Sequence, residues 1–140
     1  VRTKKAEGKK GRKGKRMDNN NYGHRKMIVW KNLDMIEEIV IEKLLPKLPK
    51  NTFQLIDQID RACSSSVANF IEGYYSGSPK EYTRFLKYSK RSLAELQDWV
   101  RRAFRKSFIK QTDYLELDTL IIRTMFLLNR LINSLQNKGP

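Results

Sequence analysis

Cysteine and histidine are nearly missing from this 140-residue chain, where Cys63 and His24 stand alone. A single cysteine excludes an intramolecular disulfide and a thiolate metal cluster. A single histidine, in a polar segment without a Cys or carboxylate cluster beside it, builds neither a conventional zinc site nor a Ser-His-Asp triad. No metal, cofactor or catalytic residue is expected, and the chain reads as a non-enzyme. Long apolar runs are missing too. Nothing approaches the ~20 residues that span a bilayer, and no signal-peptide core follows the basic start. A cytoplasmic protein with no membrane partner is expected. Strand-period segments and internal repeats are also missing.

Positive charge is what the chain has in excess. Its 29 Lys and Arg outnumber 15 Asp and Glu, giving a net +14 and a pI near 10.0. That imbalance favours an anionic partner, whether nucleic acid, an anionic membrane surface or an acidic protein. Residues 1–26, VRTKKAEGKKGRKGKRMDNNNYGHRK, carry +9 of it and leave +5 to the remainder. Apart from Met17 and Tyr22 they hold almost nothing to bury, so a disordered polybasic tail over 1–26 is expected, followed by one domain over 27–140. The chain opens on Val1, and Met17 and Met27 are both candidate starts.

From Met27 onward the apolar pattern has helical period. A first helix is expected near 30–45, with Leu33, Ile36, Ile39/Val40 and Leu44 on one face. Pro46 and Pro49 end it, because neither has the amide that a continuing helix needs. Asn51 or Thr52 can cap a second helix, Gln54 completing a capping box with Asn51, and Gly73 is expected to stop it. Ser78-Pro79-Lys80-Glu81 is a strong start for a third helix, with an N-cap serine, proline at N1 and Glu at N3. That helix should run to about Arg105. Asp113 and Glu116 repeat the signal for a fourth, carried by Leu117, Leu120/Ile121, Leu128, Leu131 and Leu135. Short connections between four helices predict an all-α, antiparallel up-down four-helix bundle. Cys63 falls on the apolar line of helix two and reads as a buried, inert thiol.

Two polar patterns exceed what a solvated surface requires. On helix two, Gln58, Arg61, Ser65, Asn69 and Glu72 recur at steps of three, four, four and three, forming a line as ordered as the apolar one. It reads either as a hydrogen-bond network with Ser92 or Glu95 on helix three, or as a seam for another copy of the chain. On helix three, Lys80, Arg84, Lys87 and Arg91 share a narrow sector opposite the Tyr82/Ser89/Leu93/Val100 face. Glu95 and Asp98 interrupt this stripe, and Arg102 and Arg105 resume it; Arg101 and Lys106 add to the basic end. Tyr88 and Trp99 flank the stripe at about 90° on the ideal wheel, available for base stacking. Most such stripes are solvated surface. This one is nearly single-signed, edged by aromatics and part of a strongly basic chain, which points to phosphate contacts with RNA or DNA. The outside of helix one is acidic instead, with Asp34, Glu37, Glu38 and Glu42.

The combination Gln58, Arg61-Ala62, Ser65, Asn69, Glu72-Gly73, then Ser78, Lys80-Glu81-Tyr82, Phe85-Leu86 and Ser92-Leu93-Ala94-Glu95-Leu96 resembles a bacterial family. Its members are four-helix-bundle proteins encoded within intervening sequences of 23S ribosomal RNA genes. Val29-Trp30-Lys31 and Pro49-Lys50 look like its entry to helix one and its first loop, so the likeness covers residues 28–105 well and the last helix only by pattern. Arg91 stands where the family has Gly, Ser76 where a basic residue is common, and Phe70-Ile71 where Ile-Ala is usual. Trp99-Val100 with Arg101, Arg102, Arg105 and Lys106 is also similar to the accessory variability proteins of diversity-generating retroelements. The resemblance implies a homo-oligomer, most often a pentameric barrel. For the retroelement group it further implies RNA or DNA binding and association with a reverse transcriptase.

Overall fold

The computed structural model describes residues 22–138 and is helical almost throughout. Helix α1 spans Ile28–Ile39 and is continued by a π-helical turn over Val40–Leu44 and a 3-10 turn over Leu45–Lys47. Helix α2 spans Phe53–Tyr74, α3 Pro79–Arg105 and α4 Gln111–Lys138. The directions of contact alternate. Ser65 meets Ser92 while Gly73, later in α2, meets Tyr82 and Phe85, earlier in α3. Lys90 meets Asn129 while Gln97, later in α3, meets Asp118, earlier in α4. The α2–α3 and α3–α4 pairs are therefore antiparallel, and α4 returns beside α1 and its π-helical turn, where Lys43 reaches Glu116.

One core runs the length of the bundle. Leu33 and Ile36 of α1, Ile59 and Phe70 of α2, Leu86, Leu93 and Leu96 of α3, and Leu117, Ile121 and Leu128 of α4 are all fully enclosed. Cys63 lies among them. Burial, aided by the negative charges of Glu37 and Asp60, pushes its thiol up to about 12, so it stays a neutral, unreactive S–H.

Local chemistry explains most helix ends and revises several expected ones. Ser78 Oγ accepts from Glu81 N at 3.1 Å, the N-cap bond its sequence promised. At the far end of α3, Ser107 takes a left-handed conformation (φ 64°). Phe108 N donates to Ala103 O at 3.1 Å and Ser107 N to Phe104 O at 2.8 Å. This is a Schellman closure with serine in the place glycine usually holds. No Asn51–Gln54 capping box forms at the start of α2. Thr52 is the N-cap residue, but its hydroxyl donates backward to Pro49 O at 2.6 Å and leaves the first turn uncapped by a side chain. Helix α4 starts at Gln111, two residues before Asp113, which sits in the first turn where its charge suits the helix dipole.

Gly73 does not stop α2. It lies buried inside the helix, and a Cβ there would meet Phe85 Cβ at 2.9 Å and Tyr82 O at 3.2 Å. Its lack of a side chain lets α2 and α3 approach closely. The expected tail boundary also moves. Gly23–Lys26 forms a 3-10 turn, and the His24 ring packs edge-on against Trp30, Tyr74 and Tyr75, with Nδ1 3.0 Å from Tyr75 Oη. A disordered segment over 1–26 therefore fails for residues 22–26, because these aromatic rings give the turn something to pack on. The rest of that expectation, residues 1–21, lies outside the described residues.

Candidate nucleic-acid interface

Helix α3 separates its two faces sharply. Thr83, Leu86, Ser89, Ser92, Leu93, Leu96, Val100 and Ala103 are buried, while Lys80, Arg84, Lys87, Arg91, Arg102, Arg105 and Lys106 are exposed and Arg101 is half-buried. A helix of 27 residues is about 40 Å long, comparable to a full turn of duplex nucleic acid.

The eight cations fall into two groups. Arg84 is held by Glu81, with Nη2 2.6 Å from its carboxylate, which lowers the carboxyl of Glu81 and raises the guanidinium. Arg101 and Arg102 share Asp98 at 2.6 and 3.0 Å, and the hydrogen bond from Arg101 chiefly holds that carboxyl below its ordinary range. Lys80, Lys87, Arg91, Arg105 and Lys106 form no ion pair among the described residues. Glu81 and Asp98 therefore fix three arginines in place and leave five cations unneutralised.

The two aromatic candidates are already engaged by arginine. Arg84 donates to Tyr88 Oη at 3.1 Å, and the guanidinium carbons of Arg84 and Arg91 lie 5.5 and 5.1 Å from the Tyr88 ring centre. Arg102 sits 4.5 Å over Trp99. A base stacking on either ring must displace a guanidinium or stack upon its far face. Flat arginine–aromatic pairs offer that second surface, since a guanidinium plane stacks as a ring does.

The polar line of α2 divides. Ser65 Oγ lies 2.9 Å from Ser92 Oγ, and Asn69 Nδ2 donates to Ser65 O at 2.9 Å and to Ser65 Oγ at 3.0 Å. Deeper in the same contact, Ser89 Oγ donates to Ser66 O at 2.7 Å. Arg61 instead turns to Asp57 of its own helix at 3.7 Å, both exposed, and Gln58 and Glu72 stand outside the network, Glu72 fully at the surface. The network also opens outward. Ser65 and Asn69 join Tyr88, Arg91, Ser92 and Glu95 around a cleft of about 500 Å³. The line on α2 and the stripe on α3, separate in the sequence, thus border one concavity.

A second cleft of about 510 Å³ lies at the C-terminal end of α3, where Trp99, Arg102 and Lys106 face Phe53 and Gln54 of α2. Phe53 is 76% exposed. Its place beside the basic end is set by the chain reversal between α2 and α3, and no local pattern announces it. Lys90 also escaped the sequence reading; it bridges to Asn129 Oδ1 at 2.8 Å.

Among the described residues no helix is long and apolar enough to cross a membrane, and no group of three or more His, Cys, Asp or Glu side chains is placed to hold a metal ion. No curated protein sequence matches the chain. The family described as 23S rRNA-intervening sequence protein matches residues 25–130, a span that takes in α1, α2, α3 and most of α4. The chain belongs to that family.

Proposed function

We propose that this is a non-enzymatic, cytoplasmic protein that binds RNA or DNA through helix α3 and acts as a homo-oligomer. The observation that carries the proposal is the row of exposed cations on α3 that lack a carboxylate partner among the described residues: Lys80, Lys87, Arg91, Arg105 and Lys106. A cation already paired gains little by meeting a phosphate, whereas an unpaired one releases a condensed counterion from the nucleic acid. Contacts of this kind go to the backbone, so binding is weakly sequence-selective and depends steeply on salt. In an oligomer each copy repeats the row, and modest contacts then add by effective concentration. Residues 1–21, with their Lys and Arg excess, supply a further electrostatic arm.

Replacing Lys80, Lys87, Arg105 and Lys106 together by Gln tests the surface without touching the arginines that brace Tyr88 and Trp99. Affinity for a mixed panel of single- and double-stranded RNA and DNA should fall at least tenfold, with the circular dichroism and melting temperature retained. Unchanged affinity across the panel overturns the reading.

A second reading is favoured by one observation, the acidic outer side of α1 and its π-helical turn, where Asp34, Glu38 and Glu42 are exposed. It fits a basic protein partner, as in an accessory protein of a diversity-generating retroelement whose barrel docks a reverse transcriptase and its template RNA. A reverse-transcriptase gene adjoining this one would favour that role.

A further inference from the structure

Helix α4 carries a second apolar line that its own core does not use. Leu117, Leu120, Ile121, Leu128 and Ile132 face inward and are buried. On the other side Leu115, Ile122 and Phe126 remain 49%, 53% and 60% exposed. With Thr119 they follow steps of four, three and four, the spacing of a coiled-coil seam rather than of scattered surface residues. The seam continues sideways into a groove of about 590 Å³ against α1, lined by Met35, Ile39, Leu115, Thr119 and Arg123 among others.

We infer that this stripe is a contact for a second copy of the chain, the two α4 helices crossing antiparallel. Self-complementarity carries the argument. In antiparallel pairing with knobs in layers, Phe126 of one copy packs over Leu115 of the other, and Ile122 fills the space above the small Thr119. The same register sets Glu116 opposite Arg123 of the other copy, twice by symmetry, on the flank where charges choose orientation. Arg123 is exposed and has no ion pair among the described residues, whereas Glu116 has only a 3.4 Å contact to Lys43, both about half exposed. A parallel pairing sets Thr119 on Thr119, leaving a gap in the middle of the stripe. The seam is about 16 Å long, so the contact is modest by itself and reversible. Being isologous, it closes a dimer, or joins two rings if other surfaces build a ring. It deepens the self-association part of the proposed function and is independent of nucleic acid.

Cross-linking distinguishes the arrangements, because the buried Cys63 thiol does not compete. Leu115→Cys and Phe126→Cys are made separately in the full chain and oxidised mildly at micromolar concentration, alone and mixed. The expected result is a disulfide-linked dimer from the mixture and little from either alone. Self-linking by each variant alone indicates parallel pairing and overturns the inference. No link in any sample also overturns it, and sedimentation of the unaltered chain then separates the two failures: a mass above the monomer preserves self-association through another surface, and a monomer removes both. As a charge test, Glu116→Arg or Arg123→Glu should each weaken the dimer roughly two- to thirtyfold, and the double swap should restore it. Failure of the double swap to restore association contradicts the proposed register.

Discussion

The two long seams of this bundle are built on opposite plans. Between α2 and α3 the chain places small side chains, Ser65, Ser66, Ser89, Ser92 and Gly73, and the helices come close enough for hydroxyl–hydroxyl and hydroxyl–carbonyl bonds across the contact. Between α1 and α4 it places larger apolar side chains, and the seam stays open as a groove, with Met35 and Leu115 about half exposed. The closed seam pairs its serines across the contact and leaves one buried hydroxyl, Tyr82 Oη, without a partner among the described residues. The open seam leaves apolar surface in water, which costs free energy unless something covers it. The α2–α3 contact is thus closed mainly by the chain's own small side chains, and the α1–α4 side keeps apolar surface available for assembly.

The two seams should respond differently to substitution, and the largest effect belongs to the closed one. Phe70 is fully enclosed and packs against Tyr74 and Tyr82, with ring centres 6.3 Å away in each case. Phe70→Ala should cost about 3–5 kcal/mol in a denaturant titration, since the rigid surroundings cannot collapse into the space. A loss under 1 kcal/mol would mean that the closed seam can rearrange and is not tightly packed. Gly73→Ala comes next. Helix propensity alone favours alanine by about 1 kcal/mol, but the new Cβ collides with the Phe85 Cβ at 2.9 Å and presses on the Tyr82 carbonyl at 3.2 Å. Overpacking should win, for a net loss of about 1–3 kcal/mol. A stabilised Gly73→Ala protein would show instead that the glycine serves no close approach. The smallest effect belongs to the open seam. Leu115→Ser with Phe126→Ser should shift stability by no more than about 0.5 kcal/mol when measured below the association concentration. A shift beyond 1.5 kcal/mol would place the stripe inside its own subunit's packing.

Much of the architecture is legible in the sequence because single local signals decide it. Ser78-Pro79-Lys80-Glu81 marks a helix start whose cap bond is present, and the i, i+3, i+4 recurrence of Leu86, Leu93, Leu96 and Val100 names the core of α3. Where two explanations share one residue, the sequence misleads. Gly73 lies near a helix end, and a glycine there commonly terminates the helix; only the partner helix reveals that it permits a close approach. Thr52 has two acceptable hydrogen-bond partners, and the Pro49 carbonyl wins. Periodicity names the buried line of α4 through Leu117, Leu120/Ile121 and Leu128 but not the second apolar line beside it. Leu117 and Leu128 belong to the core and Leu115 and Phe126 do not, yet all four are ordinary helical apolar residues.

The candidate interface shows the same limit. The basic stripe is readable on a helical wheel. Which cations are spent on Glu81 and Asp98, and that Arg91 and Asn69 border one cleft, depends on side-chain reach and on the register of α2 against α3. His24 is the clearest omission. Nothing in its neighbours along the chain indicates that Trp30, Tyr74 and Tyr75 surround it.

If the unpaired cations of α3 meet phosphates, binding must depend on salt through them. The observed association constant for a single-stranded RNA of uniform sequence is measured over a series of salt concentrations, for the unaltered chain and for the Lys80, Lys87, Arg105 and Lys106 to Gln variant. Each lost phosphate contact removes about 0.7 from the slope of log K against log salt. The variant should give a shallower line, by up to about 3 for four contacts, together with weaker binding at low salt. Parallel, superimposed lines for the two proteins would contradict it.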